Sequence, residues 1–453
     1  MKKHTYSRRQ FLGRAAGASV AAVGVPYLIP ASALGGQGNV APSARIVMGC
    51  IGVGGQGTYN MNAFLRNADV QVVAVCDVDR DYKDGGAGRE PAKRLVEAYY
   101  GSNAPSGGYK GCEAYADFRD LLARDDIDAV TVCTPDHWHG VISVAAAKAG
   151  KDIYCEKPLA NSIPESKAIR DTVKKYARVL QTGSHERSND SVRFACELIR
   201  NGRIGKLHTI RVNLPSSDPH HLEIAKLAGT SFPPMPVPAS LDWEMWQGHT
   251  PWRPYTERAC HFWWRFILDY GGGEMTDRGA HIIDLAQLGN NTDDTGPVEL
   301  SAQGWRPATG LYDTFLKYSF ECTYTNGVKM VGRDDGDRGL KFEGTDGWIF
   351  IHIHGGRLEA SPESLLKEVI GPDEIHLGRS PEHHRNFLDA VKTRQDPVAP
   401  AEVGHRTATI CHLLNLAMIT GRGFKWDPLK EEIVGDPEAN RWLIQPMHSP
   451  WHL

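Results

Sequence analysis

The chain has 453 residues, a formal net charge of -3, 41% hydrophobic and 23% charged residues. This is an ordinary globular balance at a length one core rarely serves, so two domains are expected. No long run of one charge sign and no interleaving of basic with aromatic residues gives the footprint of a nucleic-acid or anionic-membrane surface, so neither is expected as a partner.

In chain order, Ser7-Arg8-Arg9-Gln10-Phe11-Leu12 precedes a mildly apolar stretch, residues 15–29, and an Ala31-x-Ala33 cleavage pattern. This resembles a twin-arginine export signal. The stretch carries Gly17, Gly24 and Pro26 and is shorter than the ~20 apolar residues of a spanning helix. Residues 1–33 are therefore expected to be a signal peptide and 34–44 a linker. The mature product is expected in the periplasm or otherwise exported, without stable membrane association.

Residues 45–182 alternate short apolar runs (46–51, 70–76, 129–133, 152–155 and 179–182) with helical stretches. That texture predicts a doubly wound parallel sheet, with loop insertions at 84–89 and 101–111. The first run ends in Gly52-x-Gly54-x-x-Gly57 and the second in Asp77. Gly52 permits a tight turn, Gly54 lets the backbone approach a pyrophosphate, and Gly57 allows close packing of helix on strand. Asp77 falls about 20 residues beyond the last glycine, where an acid grips the ribose 2′-hydroxyl. Its charge would repel a 2′-phosphate, so NAD is expected in preference to NADP. The cysteine count is nine, and Cys50, Cys76, Cys133 and Cys155 lie in or at the end of predicted buried strands, as core thiols rather than a disulfide framework.

Beyond Gly205 the runs 208–213, 299–304, 315–323, 328–331 and 348–354 alternate apolar with polar residues. Residues 183–453 are thus expected to form an α+β domain on an open, mainly antiparallel sheet. The proline-rich segment 233–238 reads as a stiff extended connection, and helices are predicted near 382–392 and 403–419.

Two loops leave the carboxyl ends of predicted parallel strands, where open α/β sheets place ligands. One is Thr134-Pro135-Asp136-His137-Trp138-His139 and the other Glu156-Lys157-Pro158. A lysine there can exchange a proton with a substrate hydroxyl if burial lowers its pKa; a structural Glu156-Lys157 pair is the alternative. Farther on, Asp277 and His281 stand four residues apart on a predicted helix, with Asp284 one turn on. A histidine beside a carboxylate is a proton acceptor near neutral pH, although such a spacing also serves surface pairs.

Together these residues resemble the Gfo/Idh/MocA oxidoreductases, the family of glucose-fructose oxidoreductase and inositol dehydrogenase. The resemblance rests on the glycine fingerprint, Cys76-Asp77-Val78, Thr134-Pro135, Glu156-Lys157-Pro158 and the stretch from Gly273 through His281 to Asp284. It implies that Lys157 is the catalytic lysine, that Asp277 and His281 contact the substrate carbinol, and that His281 accepts the proton. The expected cofactor site comprises Gly52, Gly54, Gly55, Gln56, Gly57, Asp77, Thr134, Pro135, His139, Glu156 and Lys157. Trp243, Trp246, Trp263, Trp264 and Arg265 are candidates for an aromatic platform under a sugar ring, and His185 and Arg187 for the cleft wall. His352-x-His354 on a predicted strand sets two imidazoles on one face, but no third ligand follows at a recognisable spacing, so no metal is expected.

The implied activity is oxidation of a secondary hydroxyl of a sugar, glycoside or cyclitol by tightly bound NAD, since an exported enzyme that released its cofactor would lose it. Either Lys157 or His281 could be the base, with Asp277 orienting the substrate. A 3-keto product is one form. Alternatives are a redox-neutral NAD-dependent glycoside hydrolase, whose motif after the glycines Gly55-Gln56 does not obviously match, and a non-catalytic NAD-bound sugar-binding protein. Open sheets in this family form oligomer contacts, so a homo-oligomer is expected.

Overall fold

Isoleucine- and valine-rich runs build the first sheet of the computed structural model, which describes residues 40–82, 85–102 and 109–453. The export segment, most of the 34–44 linker and parts of both loop insertions lie outside these residues. Strands β1 (Ile46–Ile51), β2 (Val70–Cys76), β3 (Glu113–Tyr115), β4 (Ala129–Val132), β5 (Asp152–Cys155) and β6 (Leu180–Thr182) alternate with α1 (Gly55–Leu65), α2 (Arg89–Ser102), α3 (Phe118–Leu122), α4 (Asp136–Lys148) and α5 (Ile163–Lys175). The strands are parallel in the order β3-β2-β1-β4-β5-β6, the doubly wound arrangement whose switch point lies between β1 and β4. β1, β2, β4 and β5 are buried almost throughout, as expected when helices cover both faces of a sheet.

After β6 come α6 (Asp190–Arg200), β7 (Leu207–Asn213), α7 (Pro219–Lys226), α8 (Trp243–Gln247) and α9 (Arg278–Asn290). Then follow β8 (Glu299–Trp305), β9 (Lys317–Thr323), β10 (Lys329–Arg333), β11 (Gly339–Gly344), β12 (Trp348–His352) and β13 (Leu358–Ser361). The chain closes with α10 (His383–Thr393), α11 (Ala401–Thr420), β14 (Phe424–Asp427), β15 (Glu432–Ile433) and α12 (Pro437–Arg441). The strands form a second sheet ordered β13-β12-β11-β7-β10-β9-β8-β14-β15. It is antiparallel except for the β7/β10 pair.

Alternation along β8 and β9 sends Leu300, Ala302, Tyr318, Phe320 and Cys322 inward and leaves their neighbours exposed. The inward face packs on α9 and α11, and α9 is buried at every residue because it lies among the sheet, α6 and α11. Its burial all round explains why no amphipathic stripe marks it in the sequence. Segment 233–238 forms neither helix nor strand. All nine cysteines are free, and all but Cys133 are fully buried.

One strand departs from expectation. β12 stops at His352, and His354 takes a left-handed conformation with φ 60°, followed by positive φ at Gly355 and Gly356. The glycine pair turns the chain back into β13, so His352 and His354 do not share a strand face.

Gly57 shows the cost of a side chain in the glycine loop. A Cβ there would lie 1.7 Å from the carbonyl oxygen of Gly52, which itself has φ +78°. Since backbone cannot yield as a flexible side chain does, Gly57→Ala is expected to lower stability by about 1–3 kcal/mol, read as a lower urea midpoint.

Candidate functional site

The loops after β1, β2, β4 and β5 bring Gly52, Gly54, Gly55, Gln56, Asp77, Thr134, Pro135, Glu156 and Lys157 to one cavity of about 590 Å³, a usual size for a small-molecule site. The facing wall holds His185 from beyond β6, Asp277 and His281 from the start of α9, Arg265, Arg338 and His354. Both walls belong to one compact unit spanning residues 46–453.

At the glycine end, α1 begins at Gly55 without a side-chain cap, and a Cβ on Gly55 would meet nothing within 4 Å. Uncapped helical amides beside open space are suited to a diphosphate. The Thr134 hydroxyl is buried without a protein partner, leaving a polar atom for a ligand. Gly57 does not line the cavity; it is the packing glycine. The Asp77 carboxylate accepts hydrogen bonds from the amides of Val53 (2.9 Å) and Asp79 (3.0 Å), and burial pushes its pKa up to about 6. Asp77 thus shapes the glycine loop as well as lining the cavity. Hydrogen bonds to a charged group contribute roughly 1.5–3 kcal/mol, so Asp77→Ala is expected to weaken NAD binding at least about tenfold and narrow the preference over NADP, measured by calorimetric titration.

Two expected cofactor residues act as braces. Glu156 is buried and turned away from Lys157, accepting from Asn60 Nδ2 (2.7 Å) and Gln56 Nε2 (3.3 Å). The alternative of a Glu156-Lys157 pair is therefore not formed. His139 lines the cavity, but its ring nitrogens lie 2.8 Å from the Pro158 carbonyl and 2.9 Å from that of Thr134, tying the two loops together.

Lys157 Nζ lies 2.6 Å from Asp277 Oδ1 and 3.3 Å from the Asp277 carbonyl, and Arg265 Nε is 3.6 Å from the same carboxylate. Burial pushes the Asp277 pKa up, but Lys157 and Arg265 prevail and hold it well below the ordinary carboxylate range. The expected pairing of Asp277 with His281 gives way to this one: Asp277 stands at the N-cap position of α9 but makes no side-chain capping bond, and a lysine from the other wall outcompetes a neutral ring on its own helix. His281 is 5% exposed and makes no hydrogen bond to protein; its Nδ1 is buried without a partner. Burial, then the charge of Lys157, keep this imidazole far below its usual pKa and hence neutral.

Beside His281 lie His185 and His354, with ring centroids 4.7 and 5.6 Å away. His354 Nδ1 is 3.1 Å and His185 Nε2 3.5 Å from Glu186 Oε1. Arg187, expected in the cleft, instead lies buried among Asp284 (2.7 Å) and Asp293 (2.7 Å). Of the aromatic platform, Trp246 and Trp264 line the cavity, and Arg265 stacks on Trp264 at 4.5 Å. Trp243 is core, stacked on Trp246 at 4.8 Å, and Trp263 packs at the margin of that cluster under Arg258. Sequence reasoning did not find Asp136, Trp138, His220 or Arg338 as lining residues. Only Asp136 and Trp138 carried a signal, by their place in the loop after β4.

Residues 46–184 match the NAD-binding Rossmann fold of the Gfo/Idh/MocA oxidoreductase family, and residues 189–453 match its C-terminal alpha/beta domain. The chain belongs to the Gfo/Idh/MocA oxidoreductase family. It is 41% identical over 173 residues to levoglucosan dehydrogenase of Pseudarthrobacter phenanthrenivorans, covering 38% of this chain and 35% of that one. It is 28% identical over 217 residues to an alpha-N-acetylgalactosaminidase of Shewanella oneidensis, covering 45% of each. The chain spans about half or less of the length of the curated relatives it matches. Its fold is that of scyllo-inositol dehydrogenase from Lactobacillus casei, solved with NAD(H) and scyllo-inositol. The TM-score is 0.56 at 17% identity, over 84% of this chain and 99% of that one. Among the described residues no helix is long and apolar enough to cross a membrane.

Proposed function

We propose that this chain is an NAD-dependent oxidoreductase acting on a secondary hydroxyl of a sugar, glycoside or cyclitol. One observation carries the reading: Lys157 and His281, from different elements, line the same cavity as the glycine loop. NAD, when bound, supplies the hydride acceptor; the residues that would hold it are the glycine loop, Asp77, Thr134 and Pro135. His281 is the proton acceptor, because its ring faces the cavity with no protein group occupying it. Lys157, fixed by Asp277, donates a hydrogen bond to the substrate oxygen and orients it. Similarity to levoglucosan dehydrogenase supports a sugar as substrate.

Export by a twin-arginine route is part of the proposal. It requires the cofactor to travel with the folded protein, and Glu156 and His139, which brace both loops at the cleft, favour its retention. The solvent-facing side of the second sheet is the proposed homo-oligomer contact. Mass spectrometry of folded protein from the periplasmic fraction should find one NAD per chain; protein confined to the cytoplasm would refute export.

Redox-neutral cleavage of a glycoside is the second reading, favoured by similarity to alpha-N-acetylgalactosaminidase. A panel of sugars and glycosides separates the two. A rise in the reduced-nicotinamide absorbance with a keto sugar supports the dehydrogenase, released aglycone the hydrolase, and no change with any member a sugar-binding protein.

A further inference from the structure

His185, Glu186 and His354 each place a potential ligand atom within 4.8 Å of the other two. They come from two separate segments: the single turn His185–Ser188 after β6 and the turn between β12 and β13. The His354 amide donates to Glu186 Oε1 at 2.8 Å, so the backbone locks the second segment onto the first. Glu186 is 3% exposed, whereas both imidazoles are open to the cleft. Their rings stack at 6.0 Å with an interplanar angle of 17°.

Pairing with the Glu186 carboxylate accounts for two of the imidazoles here but not for the third. The third, His281, is 95% buried by its 5% exposure and adjoins both others, yet its Nδ1 has no partner. Leaving a buried polar atom unsatisfied costs about 1–3 kcal/mol, so its position against this cluster points to a group that is bound there in use.

We infer that His185, Glu186 and His354 form a binding site for a divalent transition metal ion at the substrate end of the cleft. Two imidazoles and one carboxylate suit zinc, or cobalt in its place, rather than calcium or magnesium. Ligand atoms must close to roughly 2.0–2.2 Å from the ion, which requires rotation only of His185 and His354, the two exposed side chains. Three protein ligands leave a coordination position for water or a substrate oxygen. Given the oxidoreductase reading, that oxygen is the hydroxyl or carbonyl oxygen of the reacting sugar, which the ion would orient and polarise. The metal site itself stands without that reading.

Full-length protein retaining its nucleotide, stripped of metal with a chelator and dialysed, should be titrated with Co²⁺ by visible absorption and with Zn²⁺ by calorimetry. One ion per chain is expected. His354→Ala and His185→Ala should each weaken binding by at least about 100-fold, while His352→Ala, on the strand facing Glu359, should not change it. Failure to bind either ion at one per chain, or unchanged affinity in His354→Ala, overturns the site. Metal bound without nicotinamide reduction by any sugar would overturn the oxidoreductase reading alone.

Discussion

His281→Ala and Lys157→Ala are each expected to abolish nicotinamide reduction by the substrate sugar while leaving bound cofactor in place. Loss of a positioned proton acceptor costs about 10²–10⁴ in rate, and His281 has no obvious substitute in the cleft: His185 and His354 are engaged with Glu186, and Asp277 with Lys157. Removing Lys157 has a second effect, because Asp277 is then left with Arg265 at 3.6 Å as its nearest cation. The carboxylate would turn toward Arg265 and away from the hydroxyl it helps to orient. Cofactor retention separates these effects from unfolding, since the glycine loop and Asp77 lie on other elements. Ordinary turnover in both variants would refute the roles assigned.

Arg187→Ala is expected to produce the largest loss of stability, about 3–5 kcal/mol for a broken buried ion network. The Arg187 guanidinium is buried and donates to Asp284 Oδ2 at 2.7 Å, to the Asp284 carbonyl at 3.2 Å, and to both oxygens of Asp293 at 2.7 and 2.9 Å. Thr407 of α11 bonds the other Asp284 oxygen at 3.2 Å. Truncation leaves Asp284, which is 1% exposed, as a buried carboxylate with only a hydroxyl partner. Burial raises its pKa and Arg187 opposes that rise. Without Arg187 it would protonate or admit water, at the expense of the packing of α9. A urea midpoint unchanged from the parent would show the network to be dispensable. Because α9 begins at the Asp277–His281 segment, the same variant should lose activity at temperatures where it remains folded.

Much of this site could be read from the residues alone. Gly52, Gly54, Gly55 and Asp77 line one cavity, as expected from a turn whose local backbone demands act at fixed spacing. Lys157, Asp277 and His281 were recoverable as a combination, and they do share one cavity. Misreadings arose where side chains choose among distant partners. Arg187 turned to Asp284 and Asp293, and Asp277 turned to Lys157; sequence spacing says nothing of such competition. Trp243 and Trp263 were candidates by density near the α9 segment, but density does not separate rings that line a cleft from rings that fill a core.

The sequence by itself determined the two sheet types and the glycine loop, while the order of the strands came from the structure. The sheet types and the loop follow from the period of apolar residues and from glycine conformations, which act over a few residues. Tertiary structure alone decided the rest of the cleft. The turn at Gly355-Gly356 carries His354 off its strand and onto Glu186, and the start of β11 brings in Arg338. His354 and Glu186 stand 168 positions apart, a separation no local pattern bridges, so only the packed fold brings them within reach of one another.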